Sequence, residues 1–162
     1  MFRRFLKVMF AGLAVSLLSG LWGCSAPAEE LNLKFNELSA KHSVKGVADW
    51  LEIYNPSDSE VSLAGLQLKD SNSGTVWDFP ADTKIPGKGF LQVVCDDSGT
   101  DGHTNFKLSA GGETVTLQTS DGQVIDTVTY PSQENDVSWG RATDGEGGWK
   151  QFTIPTPGQS NQ

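Results

Sequence analysis

Three aspartates crowd one short polar stretch, Asp96-Asp97-Ser98-Gly99-Thr100-Asp101-Gly102-His103. Carboxylates on a glycine-bearing loop can offer oxygen ligands to calcium. The spacing is not that of a twelve-residue EF-hand loop, and such runs also make plain solvated turns. The expectation is no resident cofactor, with Asp96, Asp97 and Asp101 the candidates for a weak calcium site. His42 and His103 lie in separate polar loops, at no spacing that suits zinc. No GxSxG, phosphate-binding loop or His-Glu-x-x-His run occurs, so the chain is not expected to be an enzyme. A hydrolase stays open only if one histidine meets a serine or a carboxylate in space. Trp50 and Trp77 sit in apolar runs and read as packing residues. Trp139 and Trp149 flank a glycine-rich stretch and are the candidates for contact with a ligand or partner, since an exposed indole suits a sugar face or a protein surface.

The two cysteines differ in context. Arg3, Arg4 and Lys7 precede residues 8–18, which are almost wholly apolar but too few to span a bilayer, so residues 1–23 read as a secretory leader. Its end, Leu21-Trp22-Gly23-Cys24, resembles a bacterial lipobox, with Trp22 where that motif carries a small residue. The resemblance implies a lipoprotein signal peptide cleaved before Cys24, lipid on the Cys24 sulfur and an acyl chain such as palmitate on its new amine. The mature protein would then be lipid-anchored and extracytoplasmic in a bacterial cell envelope. Residue 25 is Ser rather than Asp, which implies the outer membrane if the cell has one. Each buried acyl CH₂ contributes about 0.8 kcal/mol to such an anchor. Residues 24–30 carry no core residues and form a short tether. Cys95 lies in an apolar run with no partner cysteine left and is expected to be a buried, inert thiol.

Charge narrows the partners. The leader holds three of the twelve basic residues and no acidic one, so removing it takes the formal net charge from −8 to −11. Such a surface repels the phosphate backbone that supplies most nucleic-acid affinity, so no nucleic acid is expected. Attachment to anionic lipid would have to come from the anchor.

The elements that position these residues read as strands. In Asp49-Trp50-Leu51-Glu52-Ile53-Tyr54-Asn55-Pro56, Leu51 and Ile53 point to one face, and Asn55-Pro56 stops the run. Val61 and Leu63, then Leu66 and Leu68, continue the alternation on either side of Ala64-Gly65. Leu31, Leu33 and Phe35 mark a first strand that Glu37-Leu38-Ser39 ends. Val76, Trp77 and Phe79 make a short strand closed by Pro80, and residues 90–95 an apolar one. Residues 114–119 and 123–130 flank Asp121-Gly122, the signature of a hairpin with a two-residue turn. Glu37, Glu52 and Arg141 could pair at a sheet edge, although solvated charges are the commoner outcome. About eight or nine short strands at ~8–12-residue spacing, without helical periodicity, predict an all-β sandwich over residues 31–162.

Several segments in this order resemble the lamin-tail domain of bacterial proteins. They are Phe35-Asn36-Glu37-Leu38, residues 49–56, residues 61–70, Trp77-Asp78-Phe79-Pro80, residues 85–91, Asn105-Phe106-Lys107-Leu108-Ser109, residues 126–130, Ser138-Trp139-Gly140-Arg141 and Thr156-Pro157-Gly158. The resemblance implies an immunoglobulin-like β-sandwich without catalytic residues. It further implies an extracytoplasmic protein-interaction or scaffolding module with an envelope protein as partner. A glycan- or cell-wall-binding lipoprotein is the alternative.

Overall fold

The structure, a computed structural model, describes residues 31–100 and 102–161. The leader, Cys24, the tether and Asp101 lie outside the described residues. Eleven strands occur among the described residues: β1 (Lys34–Ser39), β2 (Asp49–Tyr54), β3 (Val61–Ser62), β4 (Leu66–Asp70), β5 (Val76–Asp78), β6 (Lys84–Ile85), β7 (Phe90–Cys95), β8 (Gly112–Thr119), β9 (Val124–Pro131), β10 (Ser138–Thr143) and β11 (Glu146–Phe152). One sheet has the order β11-β10-β1-β2-β7, a second β5-β4-β8-β9, and β3 and β6 form a separate ribbon. Their pairings are antiparallel. The chain is an all-β, immunoglobulin-like sandwich.

Side-chain alternation explains the core. Leu51 and Ile53 from one sheet join Leu66, Leu68, Val115, Leu117 and Val128 from the other, all buried in a single cluster. Each such side chain contributes roughly 1.5–3 kcal/mol by leaving water.

Four local expectations are corrected. First, β1 starts at Lys34 rather than Leu31 and takes in Glu37-Leu38-Ser39, and its pairing with β2 slips between Phe35 and Glu37. Asn36 is the extra residue of a β-bulge there. Second, the Asp121-Gly122 connection has three residues rather than two. Thr119 N–H donates to Gln123 O and Gly122 N–H to Thr119 O, and Gly122 alone in this turn has positive φ, at 88°. A two-residue type I′ turn would need positive φ at Asp121 as well, so the chain takes the three-residue turn with glycine left-handed. Third, most of the glycine-rich stretch is strand: Gly147 and Gly148 belong to β11, and only Asp144-Gly145 turns. Fourth, Glu37 and Glu52 are not solvated. They are fully buried, for a reason that lies in the C-terminal segment.

Candidate functional site

The bulge in β1 opens a polar hub. Phe35 stays paired with Ile53 of β2 but lies past the β1–β10 register, so side chains must satisfy its outward backbone groups. Its N–H donates to Asp126 Oδ2 at 2.8 Å, and its carbonyl accepts from Arg141 Nε at 2.8 Å. Arg141 Nη2 lies 3.3 Å from Asp126 Oδ2, so a half-buried ion pair ties β10 in one sheet to β9 in the other. The Arg141 guanidinium also stacks on Trp149, 5.0 Å from the ring centroid. Asn36 Nδ2 donates to Glu52 Oε1 and Asp144 Oδ1, and its Oδ1 accepts from the Gly145 amide.

Glu37 and Glu52 face each other across β1 and β2, on the side away from the core. The C-terminal segment folds over them. The Thr156 amide and hydroxyl donate to Glu37, and the Gly158 amide donates to Glu52. Ser138 Oγ also donates to Glu37. Asn161 Nδ2 caps the Asn36 and Arg141 carbonyls at 3.2 and 2.7 Å, locking the segment down. Two buried carboxylates are thus satisfied by N–H and O–H donors, with no cation among those donors. Burial still disfavours ionisation, pushing Glu52 from its ordinary 4.5 to about 7; the Asn36 and Gly158 donors oppose that rise, and the Glu37 and Asp144 charges add to it.

The Arg141–Asp126 clamp closes one side of the sandwich. The opposite side, where β7 and β5 are the outer strands, is open. A cleft of about 260 Å³ lies between them, floored by Trp77, Phe79, Leu91 and Val93 and ended by Thr83 and His103. Trp77 and Phe79 pack edge to face at 4.8 Å. Antiparallel ladders alternate, so the phase of each edge can be read. Asn55 N–H bonds Gly89 O, which turns Leu91 and Val93 to β2 and leaves Phe90, Gln92 and Val94 facing outward. On β5, Phe79 N–H bonds Leu66 O, which leaves Val76 and Asp78 facing outward. The loop between them caps one residue on each wall: Thr104 N–H takes Val94 O at 2.9 Å, and Asn105 Nδ2 takes Val76 O at 3.2 Å. The outward backbone groups of Gln92 and Asp78 have no hydrogen-bond partner among the described residues.

A family comparison bears on this architecture. The lamin tail domain model matches residues 26–132. The chain belongs to the lamin tail domain family. No curated protein sequence matched it. The matched part of this lamin tail domain contains the whole cleft and the β1 bulge, and it ends before β10, β11 and the segment that covers Glu37 and Glu52.

The residues singled out from sequence fall in three places of the lamin tail domain. Trp139 and Trp149, on β10 and β11, are both half-buried and packed against the core. The Trp139 indole N–H is enclosed without an acceptor among the described residues. Asp96 turns onto its own loop, accepting from the Ser98 amide at 3.0 Å and lying 2.8 Å from His103 Nδ1. Hydrogen bonds from Ser98 and then His103 hold its carboxyl down to about 2. Asp97 is exposed, at φ 65°, and no group of three His, Cys, Asp or Glu residues suited to a metal occurs among the described residues. His42 Nε2 lies 3.6 Å from Asp49 Oδ1. Each histidine therefore meets a carboxylate, but no serine hydroxyl bonds either ring among the described residues. Cys95 is buried, and burial pushes its thiol up to about 12.

Sequence reasoning missed the cleft and the polar hub. Its floor residues were visible as strand residues, but no local pattern marks which strands end a sheet.

Proposed function

We propose that this lamin tail domain is the non-catalytic, extracytoplasmic interaction head of a membrane-anchored lipoprotein, acting as a binding or scaffolding module for another envelope protein. The observation that carries this reading is the open cleft, where two sheet edges present unpaired backbone groups beside an apolar floor. Sheet edges of this kind recruit extended segments of other chains. The lipobox-like run ending in Cys24 supports the anchor. A short tether would keep the sandwich within a few nanometres of the membrane and raise the effective concentration of weak contacts there.

The glycan-binding alternative draws on Trp139 and Trp149, each of which keeps part of its ring accessible. The hydrolase alternative draws on the Asp96–His103 pair at the cleft end; no serine hydroxyl bonds the His103 ring itself among the described residues.

Crosslinking and pull-down from intact membranes, comparing the native protein with Cys24→Ala, tests the proposal. One dominant protein captured by the native form, and lost with Cys24→Ala, is the expected result. Capture of polysaccharide and no protein would replace it with the glycan reading. Labelled palmitate incorporated by the native protein and not by Cys24→Ala checks the anchor separately.

A further inference from the structure

We propose that the cleft between β5 and β7 receives an extended, cationic peptide segment of another protein, inserted as an added strand; this rests on the interaction-module reading and names the class of partner.

The geometry asks for a strand. Four consecutive residues, 91–94, line one wall, so the cleft sees the β7 backbone edge-on. Neighbouring strands of a sheet lie about 4.8 Å apart in the hydrogen-bonding direction, so a segment laid along the β7 edge continues that sheet. A segment lying there can bond the outward N–H and C=O of Gln92 as a strand added to β7, with Asp78 on the facing wall. Its alternate side chains would point down onto Trp77, Phe79, Leu91 and Val93 and up toward water.

Charge selects the occupant. The described residues of 76–83 and 90–106, which build the two walls and the capping loop, hold Asp78, Asp82, Asp96 and Asp97 and no lysine or arginine; Lys107 follows, paired with Asp96 in an isolated β-bridge. Lys84, just past one wall, is already paired with Glu60 at 2.9 Å. A second copy of this chain would bring a further −11 against the same rim. The chain's own tether carries Glu29, Glu30 and Pro27, the wrong charge and a poor strand. A segment alternating Lys or Arg with branched apolar residues complements both the floor and the rim.

The probe is a Lys–Val alternating octapeptide, titrated into full-length protein in neutral detergent and followed by amide NMR and tryptophan fluorescence. Glu–Val and Lys–Ser octapeptides are the comparisons. The expected result is saturable binding of Lys–Val with shifts at the Gln92 and Asp78 amides, and binding at least tenfold weaker for each of the other two. Gln92→Pro removes one outward N–H while leaving the β2 ladder intact, because that N–H points away from β2. It should weaken Lys–Val binding at least tenfold, whereas Gln92→Ala should not; thermal melting of both variants confirms that they fold. Asp82→Lys on the exposed rim should weaken binding several-fold. Equal binding of Lys–Ser, equal binding of Glu–Val, no binding of Lys–Val, or indifference to Gln92→Pro would each overturn the inference. So would a dimer in sedimentation that Gln92→Pro dissolves, since the occupant would then be a second copy. An envelope partner still captured by Gln92→Pro would sink this inference and leave the interaction-module reading standing; capture of no protein at all would sink both.

Discussion

Glu113 shows how a single carboxyl can set the pH response of the fold. Its Oε1 accepts from Tyr130 Oη and the Ser109 amide, both at 2.7 Å, while its Oε2 is buried with no donor. Burial, and then a hydrogen bond with Asp70, pushes the group from its ordinary 4.5 to about 7, so the protonated carboxyl is the donor to Asp70. Burial works to raise Asp70 too, but bonds from Glu113, Ser73 and the amides of Asn72 and Ser73 together hold it low. Glu52 is raised to the same level. Raised carboxyls stabilise the fold fully below their unfolded value and lose that contribution as pH rises through the folded one. Stability should therefore fall as pH rises from 4.5 to about 7. Thermal melting across that range should show the higher midpoint on the acid side. Glu113→Gln keeps the acceptor for Tyr130 and Ser109 and gives Asp70 a permanent donor. It should stabilise the protein at pH 8, be near neutral at pH 5 and flatten the profile; equal effects at both pH values would refute the assignment. Asp126→Ala, which strands Arg141 and the Phe35 amide, should cost about 2–4 kcal/mol in urea unfolding at pH 7.

Among the elements, the segment after β11 shows what sequence could and could not tell. β2 was legible because Leu51 and Ile53 alternate with Glu52 within six residues, and β7 because its apolar run begins after Gly89. The burial of Glu37 and Glu52 was not legible. Their donors come from Thr156 and Gly158, more than a hundred positions away, and no local period encodes that return. The bulge at Asn36 was hidden for a related reason: its cost is offset by Asp126, Arg141 and Asn161, residues remote in the chain. Of the candidate site, the floor residues were readable as strand residues, but their convergence follows from which strands end each sheet. Gly140 tests the packing of the returning segment. A Cβ there would stand 2.9 Å from the Phe152 ring, 3.1 Å from Asn161 Nδ2 and 3.1 Å from Glu37 Cγ. Gly140→Ala should cost about 1–3 kcal/mol by urea unfolding and be followed by faster proteolysis of the C-terminal residues.

For the whole molecule, the two sides of the sandwich are unequal. One is bolted by Arg141 and Asp126, while the other leaves two strand edges open. Amide hydrogen exchange should report this directly. Leu91 and Val93, bonded to β2, should be protected, whereas Gln92 and Asp78 should exchange near the rate of an unstructured chain. Slow exchange at Gln92 in the isolated protein would mean that the edge is already occupied.

Cys95 lends itself to a different use. Its sulfur has no solvent exposure and stays protonated at any physiological pH, so a maleimide cannot reach or react with it in the closed sandwich. In a Cys24→Ala background it is the one thiol of the chain. Its labelling would then clock the opening of the domain, molecule by molecule, inside a living envelope.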